Sequence, residues 1–399
     1  MPIGHPLYAS MGTTIFEHMS ALARSLGAIN LGQGFPDDAG PDRGGVGELI
    51  EAAARALREQ SSQYPPSTGL PELRDAIAGF YRRTRFDGQA QALELMREQV
   101  IVTSGATEAL AATIFALVEP GDEVILFEPA YDAYAPLVRR AGGVPIFVML
   151  QPPQWRYRRE DIEAAITPRT RAIIVNDPLN PAGSVASADE LAMLAALCIR
   201  HDLVAICDEV WEDVRFGGPA HRSLLALPGM AGRAVKIGSA GKLFGLTGWK
   251  IGWICASAEL AQTIGRAHQF LTFTTPPALQ WAVAAGLMLP DAWFARRDRA
   301  WAASRQRLMD GLSAAGFAIM PGAATWFVCV DLAASGIALG DRDFAERAVR
   351  EGGVATIPVS ALCESADAPT HIVRLCFTKG DEHLDEATAR LAAFRDKLV

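Results

Sequence analysis

Short apolar runs alternate with amphipathic stretches from about residue 46 to residue 285. The runs are rich in Val and Ile and apolar almost throughout, as expected for strands that helices cover on both faces. Between the runs, apolar residues recur at three- and four-residue spacing, which predicts helices. One helix is predicted over 187–200, where Ser187 and Glu190 have the spacing of a capping box. The predicted strands are 99–104, 123–127, 144–149, 172–176, 204–208, 234–238 and 252–256.

This alternation predicts an α/β domain at residues 46–285 with a mostly parallel, seven-stranded sheet. The pattern changes after about residue 286. A long helix is predicted over 291–315, strands over 324–331 and 371–378, and a terminal helix from about Glu382. These elements predict a smaller α+β domain, formed by residues 286–399 together with an N-terminal arm of residues 1–45.

Composition and charge restrict the classes of function. The chain has 399 residues, half of them hydrophobic, which suits a folded protein of two domains. Its net charge of −8 argues against a nucleic-acid partner, because phosphates are bound by a concentrated basic face. The densest basic stretch, residues 82–85 (RRTR), is interpreted as a solvated helix end.

Cysteine and histidine usage predicts neither disulfides nor a metal site. The six cysteines form no Cys-x-x-Cys pair and mostly lie in apolar runs, which favours buried thiols in a reducing compartment. The seven histidines show no metal-ligand spacing. The N-terminus lacks a signal-peptide pattern, and no apolar run is long enough to span a bilayer. A cytoplasmic protein without a membrane partner is expected.

Candidate ligand-binding residues follow the ends of the predicted strands, where sites in open α/β sheets gather. Residues 103–108 (TSGATE) lead through Gly105 into a helix whose free N–H groups would bind an anion. An ordinary strand-to-helix turn is the alternative interpretation. Tyr131, within 128–134 (EPAYDAY), could stack on an aromatic ligand or be a core residue.

Two further strand ends carry polar side chains. Residues 176–183 (NDPLNPAG) form a turn dense in Asn, Pro and Gly, which would present the amide of Asn180 at the sheet edge. That amide could equally bond the turn's own backbone. Asp208 ends another apolar run, and a buried carboxylate there requires a cationic partner, from the protein or from a cofactor nitrogen.

Lys242 lies in residues 238–250 (GSAGKLFGLTGWK), between small and aromatic residues. A lysine in partly apolar surroundings has a lowered pKa and becomes a usable amine nucleophile. Most isolated lysines are surface residues, but this sequence context is not that of a surface. Together, these residues suit an aromatic cationic ring that carries a phosphate and is attached to an amine.

The ordered set resembles the class I/II aminotransferases of the pyridoxal-5′-phosphate (PLP) fold type I, which is the aspartate-aminotransferase fold. The closest resemblance is to the branch of kynurenine, methionine and N-succinyldiaminopimelate aminotransferases. It runs from residues 31–37 (LGQGFPD) to 374–377 (RLCF). The spacings that carry it are 28 residues from Asn180 to Asp208, 34 from Asp208 to Lys242 and 8 from Lys242 to Lys250.

The resemblance implies PLP as the cofactor, with Lys242 as the Schiff-base lysine that also moves the proton at Cα. It implies that Asp208 pairs with the ring nitrogen of the cofactor. It also implies a homodimer whose second copy contributes a tyrosine to the phosphate. The remaining implied cofactor contacts are Asn180 at O3′, Tyr131 on the ring face, Gly105, Ala106, Thr107, Ser239 and Lys250 at the phosphate, and Tyr64 from the second copy.

The resemblance also implies how substrate is held. Arg374 matches the arginine that grips the α-carboxylate in a bidentate pair, with Gly34 and Asn180 beside it. Phe273 matches the segment that reaches into the neighbour's pocket. The implied reaction is a ping-pong transfer of an amino group from methionine, phenylalanine, kynurenine or a similar donor to a 2-oxo acid. The apolar pocket candidates behind this donor class are Phe16, Tyr134, Phe273, Trp326 and Phe327.

One position departs from the family pattern. The family usually has Asp-Glu-Val-Tyr after the fourth strand, with the tyrosine donating to O3′ of the cofactor, whereas this chain has Trp211. Indole donates through N–H but neither accepts nor ionises. The Schiff base is therefore expected to be harder to deprotonate than with tyrosine.

Three other functions were weighed against this one. β-Elimination from cysteine S-conjugates uses the same α-carbanion, and N-succinyldiaminopimelate is another possible donor. Both stay open. A PLP-fold ligand sensor fused to a DNA-binding module is disfavoured, because the aminotransferase-like motifs begin near residue 31.

Overall fold

The computed structural model describes residues 4–37, 46–83, 93–218 and 220–399. Its helices are α1 (Pro6–Ala9), α2 (Ile15–Leu26), α3 (Gly47–Glu59), α4 (Pro71–Arg82), α5 (Gly105–Leu117), α6 (Tyr134–Arg140), α7 (Arg159–Ala165), α8 (Ala188–Arg200), α9 (Ala240–Phe244), α10 (Ala258–His268), α11 (Pro277–Leu287), α12 (Asp291–Ala314), α13 (Asp341–Gly352) and α14 (Asp381–Arg395). Its strands are β1 (Ile29–Asn30), β2 (Val100–Thr103), β3 (Glu123–Glu128), β4 (Val144–Met149), β5 (Thr170–Asn176), β6 (Val204–Asp208), β7 (Ala234–Ser239), β8 (Gly252–Cys255), β9 (Ala318–Ile319), β10 (Phe327–Asp331), β11 (Val354–Ala355), β12 (Ile357–Pro358) and β13 (Ile372–Cys376).

The largest sheet has seven strands in the order β2-β8-β7-β6-β5-β3-β4. The strand pairs are parallel except where β8 runs antiparallel to β2 and β7. Each of the seven predicted strands is present, with its ends shifted by at most two residues. The predicted α/β fold with a mostly parallel sheet is confirmed.

Helices cover both faces of this sheet. In β3, Ile125 and Phe127 pack into one buried cluster with residues of α4, α8 and α11, whereas Val124 and Leu126 pack into another with residues of α5 and α10. Every residue of β3 is buried. This two-sided burial explains why the strands are continuous apolar runs in the sequence.

The predicted start of α8 is present in the structure. Ser187 caps α8: its hydroxyl accepts from the Glu190 N–H at 3.2 Å, and the Glu190 carboxylate accepts from the Ser187 N–H at 2.8 Å. The predicted capping box is thus confirmed. The basic stretch at residues 82–85 begins at the last residue of α4, and Thr84 and Arg85 lie outside the described residues.

A four-stranded sheet, β12-β13-β10-β9, forms the C-terminal part together with α12, α13 and α14. The N-terminal segment joins it, because β1 pairs in parallel with β11 and α2 packs on α13. We propose the division into 46–285 and 1–45 with 286–399 on this basis, although residues 38–45, next to the boundary, lie outside the described ones.

The six cysteines are free, and all but the half-buried Cys363 are buried. Within the described ranges, no helix is both long enough and apolar enough to cross a bilayer.

Candidate active site

A cavity of about 420 Å³ opens at the carboxyl ends of β5, β6 and β7. Asn176, Asp208 and Ser239 end these three strands and lie in its wall. The parallel register places Asn176 directly beside Asp208. The residues singled out from the sequence that line the cavity are Phe16, Gly34, Gly105, Ala106, Thr107, Tyr131, Asn180, Asp208, Trp211, Ser239, Lys242, Lys250, Phe327 and Arg374.

Lys242 projects into the cavity from α9, the short helix that follows β7 directly. Its ammonium nitrogen lies 3.4 Å from the Gly34 carbonyl oxygen, which accepts a hydrogen bond, and 4.8 Å from the ring centroid of Trp211. Burial lowers the pKa of Lys242 to about 8, and the positive charges of Arg374 and Lys250 act in the same direction. About half of the amine is therefore neutral at pH 8, as a nucleophile or base requires.

Asp208 is buried at the end of β6. The Tyr134 hydroxyl donates to one carboxylate oxygen at 2.6 Å, and the Val210 N–H donates to the other at 3.4 Å. Burial raises the pKa of Asp208, and the Tyr134 hydrogen bond opposes that rise. The second oxygen thus has capacity left for a cationic group in the cavity.

Asn176 ties the neighbouring segments together. Its amide donates to the Asp208 carbonyl at 3.0 Å and accepts from the Asn180 N–H at 2.9 Å. Sequence reasoning placed Asn176 in the turn motif without assigning it a contact. The signal was weak, since an Asn at a strand end suits any turn.

At one end of the cavity, the N-terminus of α5 and Lys250 lie together, and both favour a negatively charged ligand group. Gly105 has a φ of +75°, and a Cβ there would lie 3.1 Å from the Lys250 nitrogen. A Cβ on Gly252 would lie 2.8 Å from the Ala106 nitrogen. The two glycines therefore allow Lys250 and the Gly252 backbone to approach the first turn of α5 closely. A helix N-terminus beside a cation is an arrangement that binds phosphate.

Arg374 is buried at the opposite end, in β13. Its guanidinium lies 3.9 Å from the ring centroid of Phe327 and 5.0 Å from that of Phe16. It donates to the Asn180 side-chain oxygen at 2.9 Å and to the Gly32 carbonyl, while its Nε has no partner in the described part of the chain. Burial lowers the pKa of Arg374 to about 10. The group retains donors for a carboxylate.

Gly34 is required at its position by Phe327. A Cβ on Gly34 would lie 2.6 Å from the Phe327 ring, a separation that real side chains do not show. The small residue therefore allows the loop that contains Gly34 to cross the aromatic wall next to Arg374.

Four predicted residues lie elsewhere in this single chain. Tyr64 is 82% exposed and packs edge-on against Phe273, which is itself 41% exposed, with ring centroids 5.4 Å apart. Tyr134 and Trp326 are not in the cavity wall, although the Trp326 ring centroid lies 5.2 Å from the Lys242 nitrogen. Tyr134 lies behind Tyr131 because its hydroxyl bonds Asp208, and Trp326 is fully buried against Trp211.

The cavity wall also includes residues that sequence reasoning did not single out as ligands. Most of them come from loops and turns, where no periodicity indicates which side chains face inward. They include Thr14, Gln33, Phe35, Asp132, Val210 and Thr247.

A second polar cluster adjoins the cavity. Lys236 of β7 is fully buried and donates to the carboxylates of Glu209 and Glu212. Glu212 also accepts from the Tyr81 hydroxyl at 2.6 Å. Glu209, Glu212 and His221 could converge on a metal ion. The Lys236 ammonium already provides the cation for both carboxylates, so we assign no metal to this cluster.

Asp177 and His221 form a buried pair at the edge of that cluster. One carboxylate oxygen lies 3.6 Å from the His221 Nε2, and neither atom has a hydrogen-bond partner in the ranges described. Burial raises the pKa of Asp177 to about 7 and lowers that of His221 to about 3. Between about pH 4 and pH 6.5, the folded pair thus holds one proton, on Asp177, whereas the unfolded pair holds one on His221.

We expect Asp177→Asn to make the free energy of unfolding rise with pH relative to wild type. In the native pair, folded Asp177 holds a proton from about pH 4 to 7, so its contribution to stability falls as pH rises. His221 stays neutral in the folded protein but is protonated in the unfolded chain below about pH 6.5, so its contribution to stability rises as pH rises. The contributions of Asp177 and His221 to the pH dependence of stability therefore cancel. Asp177→Asn removes the contribution of Asp177 and keeps that of His221, which rises with pH.

Urea unfolding at pH 4.5 and 6.5 tests this. Relative to wild type, the variant should gain about 2 kcal/mol in the free energy of unfolding over this interval. His221→Gln is the matched control and should show the opposite trend. The same change in the free energy of unfolding between pH 4.5 and 6.5 for all three proteins would contradict the assigned protonation states of Asp177 and His221.

Comparison with known proteins decides the family. The model of the aminotransferase class I and II family matches residues 27–391. The chain belongs to the class I and II aminotransferases. It is 39% identical over 383 residues to methionine aminotransferase of Escherichia coli, covering 96% of each chain. It is 32% identical over 404 residues to kynurenine–oxoglutarate transaminase 3 of Mus musculus, covering 94% and 87%.

The fold agrees with this family. A solved structure of N-succinyldiaminopimelate aminotransferase from Mycobacterium tuberculosis superposes with a TM-score of 0.91 at 42% identity, covering 98% of this chain and 99% of that one. The predicted PLP fold type I and the predicted enzyme class are therefore confirmed.

Aminotransferases of this fold use PLP, and the cavity of this aminotransferase fits it. Lys242 offers an amine with a lowered pKa, and Asp208 a buried carboxylate. At the N-terminus of α5, Gly105 and Gly252 let Lys250 and β8 lie close against the first turn, which places a cation beside N–H groups that would bind a phosphate.

Proposed function

We propose that this aminotransferase takes the amino group from an apolar or aromatic L-amino acid and passes it to a 2-oxo acid by a ping-pong mechanism. The observation that carries the proposal is the aromatic wall between Lys242 and Arg374, which is formed by Phe16, Trp211 and Phe327. Such a wall favours donors whose side chains gain from leaving water.

PLP, when bound, supplies an electron sink for a bond broken at the substrate's Cα. Lys242 attaches the cofactor and then removes and returns the proton at Cα, since its lowered pKa keeps much of the amine neutral near pH 8. Asp208 holds a proton on the ring nitrogen, and Tyr134 keeps that carboxylate charged by donating to it.

The remaining cavity residues hold the cofactor in place. The N–H groups of Ala106 and Thr107, with Ser239 and Lys250, bind the phosphate. The rest of the proposed contacts are Gly105 beneath the phosphate, Tyr131 stacked on the ring, and Asn180 and Trp211 at O3′. Weaker donation by Trp211 than by the family's usual tyrosine remains a prediction.

Arg374 binds the donor's α-carboxylate through the nitrogen that has no partner in the described chain, together with a neighbouring N–H. Asn180, which already accepts from this guanidinium, orients it, and the loop at Gly34 covers the same end. The α-carboxylate thus points to Arg374, and the donor's side chain lies against the aromatic wall.

A homodimer completes the site in this proposal. Tyr64, Phe270 and Phe273 are exposed aromatic side chains, and Tyr64 and Phe273 are in contact. Exposed aromatic groups of this size are typical of protein–protein contacts. We propose that Tyr64 and Phe273 of each copy reach the other copy's cavity, at the phosphate and at the donor's side chain respectively.

A half-reaction screen tests the donor class. The PLP-loaded enzyme is mixed with single amino acids, and conversion to the pyridoxamine form is followed by absorbance. We expect methionine, phenylalanine and kynurenine to react about tenfold faster than aspartate, because one buried side chain of this size is worth that factor or more. Faster reaction with aspartate would contradict the donor class.

The same screen separates the alternatives. N-Succinyldiaminopimelate is included as a donor, and a preference for it would replace our assignment. Cysteine S-conjugates are assayed for pyruvate and ammonia. Their release without formation of the pyridoxamine form would identify a β-lyase.

A further inference from the structure

Asp132 places a carboxylate in the wall of the same cavity. It follows Tyr131 and is half-buried. In the described part of the chain, the hydrogen bond that reaches its carboxylate comes from its own backbone N–H. Among the described residues, no ion pair involves this carboxylate.

Under the proposed function, each cationic side chain that lines the cavity in the described chain already binds the cofactor or the donor's α-carboxylate. Those that line it in the described chain are Lys242, Lys250 and Arg374. Lys242 attaches the cofactor, Lys250 faces the phosphate and Arg374 takes the α-carboxylate. In the described chain the cavity wall thus offers the donor's side chain aromatic groups and the Asp132 carboxylate, and it contains no cation beyond these three.

The electrostatic surroundings of Asp132 agree with this placement. Burial raises its pKa, and the positive charge of Arg374 opposes the rise. The two groups are thus near enough to interact, although they form no ion pair. A donor whose α-carboxylate lies on Arg374 therefore shares the cavity with the Asp132 carboxylate.

We propose that Asp132 determines donor selectivity, by repelling amino acids whose side chain carries a carboxylate. The inference rests on the proposed function and deepens it. Like charges that meet in a cavity with little water repel strongly. The selected class is donors with neutral side chains, including those with an N–H that Asp132 can accept. Donors with additional carboxylates, such as N-succinyldiaminopimelate, are disfavoured.

Glutamine and glutamate provide the sharpest test, because they share size and shape and differ by one charge. The rate constant divided by the dissociation constant is measured for each in the half-reaction. Wild type should prefer glutamine, and Asp132→Asn should reduce that preference about tenfold, chiefly by improving glutamate. An unchanged ratio overturns the inference.

A structural role for Asp132 would give a different result. If it merely orients Arg374, the variant would lose the same factor for both amino acids, which also overturns the inference. Asp189→Asn is the control, because it removes one negative charge from an exposed position on α8. It should leave the ratio as in wild type.

Binding of unreactive analogues gives a second readout. Glutarate and its monoamide are titrated into the loaded enzyme, and the cofactor's absorbance reports binding. Wild type should bind the monoamide more tightly, and Asp132→Asn or Asp132→Ser should reduce the difference. A difference that survives in a folded variant overturns the inference. If wild type converts no amino acid at all, the proposed function fails instead.

Discussion

Lys242→Ala is expected to lower kcat for transamination by about 10⁴-fold, because the variant lacks both the covalent attachment and the general base. The cofactor should still bind non-covalently, since Asp208 and the N-terminus of α5 remain. Measurement of the half-reaction and of cofactor absorbance checks both statements. Lys397→Ala, an exposed lysine near the C-terminus, is the control and should behave as wild type.

The lowered pKa of Lys242 adds a dependence on pH. Burial lowers it to about 8, and the neutral amine is the reactive form. The rate at which apoenzyme captures PLP covalently should therefore rise about tenfold per pH unit below pH 8 and level off above it. A rate that keeps rising to pH 10 would show that the amine titrates like a solvated lysine. Capture by Lys242→Ala at any pH would contradict the assignment of this residue.

Arg374→Lys is expected to lower kcat/KM for every amino acid donor by about 100-fold, because lysine cannot reproduce a bidentate pair with the α-carboxylate. The effect should appear chiefly in KM. Lysine would also lose the packing of the guanidinium between Phe16 and Phe327. Cofactor capture should be unchanged, which separates loss of substrate binding from loss of the fold.

Arg305→Lys is the matched control for that substitution. Arg305 is less buried than Arg374 but, like it, lies over an aromatic ring, 5.4 Å from the centroid of Phe216, and it donates to the Gly322 carbonyl at 2.6 Å. It does not line the cavity. Equal losses of kcat/KM in the two variants would show that Arg374 acts through stability rather than by binding substrate.

The strands of the large sheet and the start of α8 could be predicted from the sequence because each depends on a short stretch of neighbouring residues. Strands buried on both faces are apolar throughout, so the runs now seen as β2 to β8 stood out without any knowledge of their neighbours. The start of α8 was readable for the same reason, since Ser187 and Glu190 satisfy each other's backbone N–H. The order and spacing of Asn180, Asp208, Lys242 and Lys250 indicated the family.

The contacts between loops depended on tertiary structure. Tyr131, Asp132 and Tyr134 lie within four residues of one another, yet the first two line the cavity and the third bonds Asp208 from behind. No periodicity applies to such a turn, so the inward-facing side chains follow from its packing. The Lys236 cluster likewise required β6, β7 and α4 to come together.

The sequence alone therefore determined the fold class and the family and predicted Lys242 as the Schiff-base lysine, because these depend on periodicity and on fixed spacing along the chain. Tertiary structure decided which charges line the cavity. Asp132 became a candidate determinant of selectivity when folding placed it in the same cavity as Lys242, Lys250 and Arg374. Electrostatic selectivity depends on distances through space, and residues 132 and 374 are brought together by the fold.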